Sequence, residues 1–178
     1  MMTTDAAARH DRESIITAAL AILDAQGLAD LTMRRLAEAL GVRASALYWH
    51  FENKQALLAA VADRIVAEAA SANSARALRD ALLAHRDGAE VVLSTQALSL
   101  GEDAPRRILT TGLTDTPDPE RAAAILLPYV LGHASIVQQR LQAAELGVIT
   151  RSAKAIRADA DAEFDTGVSA ILAGLRRE

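Results

Sequence analysis

Leu31-Thr-Met-Arg-Arg-Leu-Ala-Glu-Ala-Leu-Gly-Val-Arg-Ala-Ser-Ala-Leu-Tyr-Trp-His-Phe51 is the stretch that decides how this chain is read. Thr32 is suited to cap a helix, and Met33, Leu36, Ala37 and Leu40 recur at the spacing of one buried helical face. Gly41 supplies a tight turn before Val42. Beyond it, Leu47 points inward, while Arg43, Ser45, Tyr48, Trp49 and His50 load polar and aromatic groups onto a helix too short to fold alone. Two short helices hinged at Gly41-Val42, the second carrying that cargo, form a helix-turn-helix signature suited to a DNA groove and its phosphates.

Working outward, a first helix is expected from near Asp11 to Gln26, with Ile15, Ile16, Ala19, Leu20 and Leu23 on one side and Gly27 ending it. After the recognition helix, Asn53 is placed to cap a long helix through Leu57, Leu58, Val61, Ile65 and Val66 to about Ala70. A break at Ser71-Ala72-Asn73-Ser74 precedes a helix through Leu78 and Leu82 that Gly88 is expected to stop. Short helices or loops follow around Val91, Leu93 and Pro105. The run Thr114–Pro119 marks the clearest boundary, with Asp118 as a cap and Pro119 in the first turn of a long helix to about Leu146. Pro128 inside that helix removes a backbone hydrogen bond and should bend it. A last helix carries Phe164, Val168, Ile171, Leu172 and Leu175 at intervals of three and four.

The expected fold is all-α: an N-terminal three-helix bundle with the helix-turn-helix over 1–54, joined to a larger helical domain over 55–178. Composition agrees, because 51% of the 178 residues are apolar but only 3% aromatic, and alanine and leucine dominate. With no cysteine in the sequence, disulfides, zinc-thiolate sites and thiol catalysis are excluded. The start, MMTTDAAARHDRES, is polar where a signal peptide needs an apolar core, and no run approaches transmembrane length, so a soluble cytoplasmic protein without a membrane partner is expected. The net charge of −4 argues against indiscriminate nucleic-acid binding, and residues 1–54 hold seven acidic side chains against six Lys or Arg. DNA affinity must come from local placement of Arg34, Arg35, Arg43 and Lys54, doubled in a dimer.

Arg12, Ile16, Ala18-Ala19-Leu20, Gly27, Leu31-Thr32-Met33-Arg34, Leu40-Gly41-Val42, Leu47-Tyr48-Trp49-His50-Phe51 and Lys54-Gln55-Ala56-Leu57-Leu58 fall in the order and register of a known pattern. They resemble the TetR family of transcriptional regulators, and in the Tyr-Trp-His triplet its tetracycline-repressor subgroup most of all. The resemblance implies a repressor that binds a palindromic double-stranded operator as a homodimer and is released by a small effector. It implies DNA contacts from Thr32, Met33, Arg34, Arg43, Ala44, Ser45, Ala46, Tyr48, Trp49, His50 and Lys54. Among these, Arg34 matches the position that reaches a guanine edge, and Tyr48, Trp49, His50 and Lys54 match positions that hold phosphate or sugar. Arg43-Ala44-Ser45-Ala46 depart from the subgroup where bases are read, so its operator should not carry over.

The segment Ala81–Thr95 resembles the same subgroup, whose members place a magnesium-ligating histidine where this chain has Val92. Ala70, Ser74 and Leu78 stand at drug-contacting positions where the subgroup has histidine, asparagine and phenylalanine. Magnesium-tetracycline is therefore not expected as the effector, and no cofactor or metal is expected. An apolar chamber remains, and the candidate pocket residues are Leu78, Leu82, His85, Val92, Gln96, Tyr129, His133 and Gln139. The family mechanism implies a shift near Gly88, passed along the Asn53–Ala70 helix to the recognition helices. The homodimer is expected through the last two long helices, where Gly132, Ala134 and Ser135 allow close approach of another helix.

An enzyme is a poor alternative. His10, His50, His85 and His133 show no metal spacing, and no phosphate loop, nucleophile elbow or His-Glu-x-x-His occurs. Asp159, Asp161, Glu163 and Asp165 suggest calcium, but Phe164 stands where a calcium loop needs glycine, so a solvated helical face is read. The other alternative is a helical protein-interaction module, or a helper that has lost specific DNA binding, which the weak basicity and the two recognition-helix alanines would fit.

Overall fold

The structure, a computed structural model, describes residues 11–176; Asp5 and His10 lie outside them. Helix α1 spans Arg12–Gln26, where the Asp11 carboxylate accepts from the Ser14 N–H at 2.8 Å. That hydrogen bond holds the Asp11 pKa below the ordinary carboxylate value. Gly27, at φ 87°, ends the helix, and its N–H reaches the Leu23 carbonyl at 2.8 Å. Helix α2 spans Met33–Leu40 and is capped by the Thr32 hydroxyl, which accepts from the Arg35 N–H at 3.1 Å. Gly41 turns out of α2 in a left-handed conformation at φ 65°, which a side chain would resist, and the Val42 N–H closes on the Ala37 carbonyl at 3.0 Å. The recognition helix α3 is only Ala44–Leu47. Leu23, Leu31, Leu36, Leu47 and Phe51 are buried to within 1% and form the core of this hairpin, each contributing about 1.5–3 kcal/mol of burial.

Helix α4 spans Lys54–Ala67, and the Asn53 side chain caps it by accepting from the Ala56 N–H at 2.8 Å. Helices α5 (Ala75–Ala84), α6 (Gly88–Ala97), α7 (Ala104–Gly112), α8 (Pro119–Glu145) and α9 (Ala153–Leu175) complete the order among the described residues. One expectation is corrected: Gly88 opens α6 and does not stop α5. The chain turns at His85–Asp87, with Asp87 left-handed at φ 54°. Asp118 caps α8 as expected, accepting from the Arg121 N–H at 3.0 Å, and α8 continues on both sides of Pro128.

The described chain divides into two compact units. The first holds the residues up to Ile65 together with His85–Glu102, and the second holds Val66–Ala84 and the residues from Asp103 on. Carboxylates stitch the first unit. Asp24 meets the His85 ring Nδ1 and the Arg86 N–H, each at 3.1 Å, Asp87 accepts from the Leu28 N–H at 2.8 Å, and Asp63 accepts from the Glu102 N–H at 3.3 Å. Glu13 on α1 is ion-paired to Arg64 on α4. These links explain why α6 groups with the N-terminal helices when the sequence boundary was drawn after 54.

In the second unit, α5, α7 and α9 pack on α8 around Leu78, Leu82, Leu109, Leu126, Val130, Val137 and Phe164. The acidic series on α9 is more than a solvated face, because each member meets an arginine: Asp159 with Arg151, Asp161 with Arg79, Glu163 with Arg140 and Asp165 with Arg76. A second correction concerns α8, which is long and apolar enough to cross a membrane by length and composition, although no such run was read in the sequence. Nearly half of that window (44%) is buried within the protein, and the core helix of a water-soluble protein passes the same test.

Candidate nucleic-acid interface and ligand chamber

The hairpin leaves one group of side chains in solvent. The Trp49 ring is 90% exposed and Tyr48 51%, immediately after the four-residue α3, and the Arg34 side chain is 89% exposed on α2. Large aromatic surface is seldom left bare without a partner. Arg34 is tethered lightly, by Glu38 one turn on at 3.0 Å, which a guanine edge or a phosphate can replace. Arg43 stands exposed at the start of α3 with no capping hydrogen bond, Ser45 is exposed beside it, and Ala44 and Ala46 are half-buried. His50 is exposed, and Lys54 is half-buried at the first residue of α4.

Two of the expected contact residues have other duties. The Thr32 hydroxyl is committed to the α2 cap, and Met33 is 8% exposed with its side chain in the core. One residue that matters was read only as part of the matching pattern: Arg12 donates from Nη1 to the His50 carbonyl at 2.8 Å and lies 4.3 Å over the Phe51 ring. Its contact spans 38 positions, so no local spacing announces it.

The expected chamber residues fall in both units. His85, Val92 and Gln96 belong to the first: His85 holds Asp24, Val92 is fully buried, and the Gln96 amide approaches the Glu102 carbonyl at 3.4 Å. Leu78, Leu82, Tyr129 and His133 belong to the second, where Leu78 and Leu82 are sealed in packing. Gln139 faces solvent; its neighbour Gln138 turns inward and donates to the Leu82 carbonyl at 3.1 Å. One residue's rotation on α8 separates the two, finer than helical periodicity resolves.

Tyr129 and His133 form an aromatic cluster with Phe164. The His133 ring sits edge-on to Phe164 at 5.1 Å and 5.9 Å from Tyr129, whose hydroxyl donates to the Glu163 and Phe164 carbonyls at 3.2 and 3.3 Å. Burial pushes the Tyr129 pKa up and the His133 pKa down, and the nearby Arg79 cation lowers His133 further. A solvent-open cleft of about 360 Å3 lies elsewhere in this unit, between the start of α5 and helices α7, α8 and α9, and none of the eight expected residues lines it.

The pattern described as bacterial regulatory proteins of the tetR family matches residues 15–61, and the tetracyclin repressor-like C-terminal domain matches residues 68–154. The class C tetracycline repressor of Escherichia coli is 30% identical over 200 residues, covering 93% of this chain and 90% of that protein. The chain belongs to the TetR family.

Its TetR relatives align to different extents. The class D repressor of Escherichia coli is 43% identical over 103 residues, and that alignment spans about half of the relative (47%) and 50% of this chain. Among solved structures, Mycobacterium smegmatis BioQ is similar at 36% identity with a TM-score of 0.78, covering 95% of this chain and 99% of that one. BioQ with its natural double-stranded DNA operator is similar at 35% identity with a TM-score of 0.71, covering 96% and 100%. The helix-turn-helix of this TetR chain is thus α2–α3, with α1 bracing it.

Proposed function

We propose that this TetR-family chain binds a palindromic double-stranded DNA operator as a homodimer, acts as a repressor in the cytoplasm, and is released by a small, largely apolar effector. The observation that carries the DNA half of this reading is the coexposure of Arg34, Tyr48 and Trp49 around a buried Leu36–Leu47–Phe51 core. The core fixes the backbone, the aromatics pack on sugar and phosphate, and Arg34 supplies a fork for guanine. Similarity to BioQ in its operator complex supports the same docking. Homodimerisation through α8 and α9 is supported by Ile125 and Ile136, exposed on α8 at 42% and 52%, and by open space around Gly132. Magnesium-tetracycline does not suit the chain, because Val92 brings no lone pair to a metal.

The test is selection of bound duplexes from a random pool at a stated salt concentration, with the purified chain. Enrichment of an inverted repeat with half-sites about one helical turn apart is expected. A folded, dimeric protein that enriches nothing would overturn the reading.

A further inference from the structure

Arg34 and Glu38 stand one turn apart on α2, and the Glu38 carboxylate accepts from the Arg34 Nε at 3.0 Å. Helix stability does not explain their placement. A helix favours acidic side chains in its first turn and basic ones in its last, and an ion pair supports it better with the carboxylate N-terminal to the cation. Helix α2 does the opposite: Arg34 lies in the first turn and Glu38 in the last, with no acidic residue in the first turn and no basic one in the last. The neighbouring Arg35 has an ordinary structural duty, because it is ion-paired to Asp30 just before the helix. Arg34 and Glu38 are 89% and 63% exposed, so neither packs the core, and a solvated pair of this kind contributes little to stability.

The atoms that pair decide what Arg34 has left to offer. Glu38 takes Nε, so both terminal nitrogens of the planar guanidinium stay open to a ligand. Two coplanar donors at that end match guanine, whose O6 and N7 accept side by side in the major groove. A phosphate approaching the same fork meets the Glu38 carboxylate beside it. That repulsion acts on every sequence alike, and specificity is a difference of affinities. We infer that Glu38 is a specificity-determining positioning residue: its oxygen orients the Arg34 fork for a guanine edge, and its charge weakens the hold of Arg34 on phosphate. The assignment rests on the DNA-binding reading above. It also gives the acidic balance of residues 1–54 a use, because weaker binding to random duplex widens the gap to the operator.

The test uses the purified full chain, the duplex it selects, and the base position that Arg34→Ala relaxes. Glu38→Ala should lower discrimination for guanine at that position about fivefold or more. Its binding to random duplex at low salt should rise about twofold, because one negative charge has left the DNA face. Glu38→Gln keeps an oxygen for Nε without the charge, so its guanine discrimination should stay within about twofold of the parent. Random binding by Glu38→Gln should rise as it does for Glu38→Ala. Glu52→Ala, which removes an exposed acid elsewhere in the hairpin, should leave guanine discrimination unchanged. Combined with Arg34→Ala, Glu38→Ala should change discrimination no further. The main-chain carbonyl of Glu38, which accepts from the Gly41 N–H at 3.2 Å, is kept in every variant, so melting should stay at or above the parent. Unchanged guanine discrimination in Glu38→Ala overturns the assignment, and so does an equal loss in Glu38→Gln or the failure of Arg34→Ala to relax any position. A parent that enriches no sequence overturns the DNA-binding reading and this role together, whereas an enriched operator that Glu38→Ala reads as the parent does overturns this role alone.

Discussion

Arg12 holds the His50 carbonyl at 2.8 Å while its guanidinium lies over Phe51, so the first turn of α1 anchors the end of the recognition helix. Helix α3 has four residues and cannot hold its own geometry, and Leu47 and Phe51 fix it from inside while Arg12 fixes it from outside. Arg12→Ala should cost about 1–2 kcal/mol of stability, from a charge-assisted hydrogen bond and a cation–π contact. DNA affinity should fall on all sequences alike. Urea denaturation with binding to selected and random duplexes checks both, and a loss confined to one base position would show that Arg12 reads sequence.

Arg34 is expected to behave differently. Its single ion pair is exposed, so removing it costs little stability. Arg34→Ala should weaken the selected operator by about 1–3 kcal/mol and relax one position in each half-site. Competition binding against a panel of single-base variants measures this. An equal loss on random DNA would mean that Arg34 touches only phosphate.

The hairpin was legible because its signals are local: Thr32, Gly41 and Asn53 each act within four residues, and the structure uses all three as caps or turns. Gly88 is expected at the end of a helix because glycine is enriched there, but the chain has already turned at the left-handed Asp87, so Gly88 opens α6. The stitching carboxylates Asp24 and Asp87 act across 59 to 62 positions, and Arg79 acts across 82, so no periodicity shows them. The cleft beside α7 was invisible for the same reason, since its apolar walls Leu109, Leu126 and Phe164 read as ordinary core and come from three separate helices.

Arg79 is 2% exposed, and its Nη1 lies 2.7 Å from Asp161, with Phe164 5.0 Å beneath the guanidinium. Asp80 is a second, more distant partner at 3.4 Å, and a buried cation left with it alone is poorly neutralised. Asp161→Asn should cost about 1.5–3 kcal/mol. The double variant with Arg79→Met should recover most of that, because an apolar side chain of similar length needs no partner there. Denaturation of the two singles and the double gives the coupling, and strict additivity would sink the assignment.

Glycine at 112 is required by space. A β-carbon there meets the Asn73 carbonyl at 1.7 Å, whereas one at Gly174 meets nothing within 4 Å. Gly112→Ala should force the α7 end away from the connector and cost about 2 kcal/mol or more, in the manner of an overpacked core. Gly174→Ala should gain about 0.5–1 kcal/mol by removing backbone freedom from the unfolded chain. Thermal melts of both variants test the contrast. A neutral Gly112→Ala would show that the connector yields.

His133 gives the fold a dependence on pH whose sign follows from its surroundings. Burial first, and the Arg79 cation second, hold its pKa below 6.5, with Glu163 opposing and Arg140 assisting. The unfolded histidine therefore takes its proton at higher pH than the folded one. Its contribution to stability is complete above 6.5 and is lost as pH falls below 6.5 toward the lower folded value. Urea midpoints between pH 8 and pH 5 should fall on acidification in the parent. In His133→Phe, which keeps a ring against Tyr129 and Phe164 but cannot titrate, the fall should be smaller. Parallel profiles would place the acid sensitivity in groups other than His133.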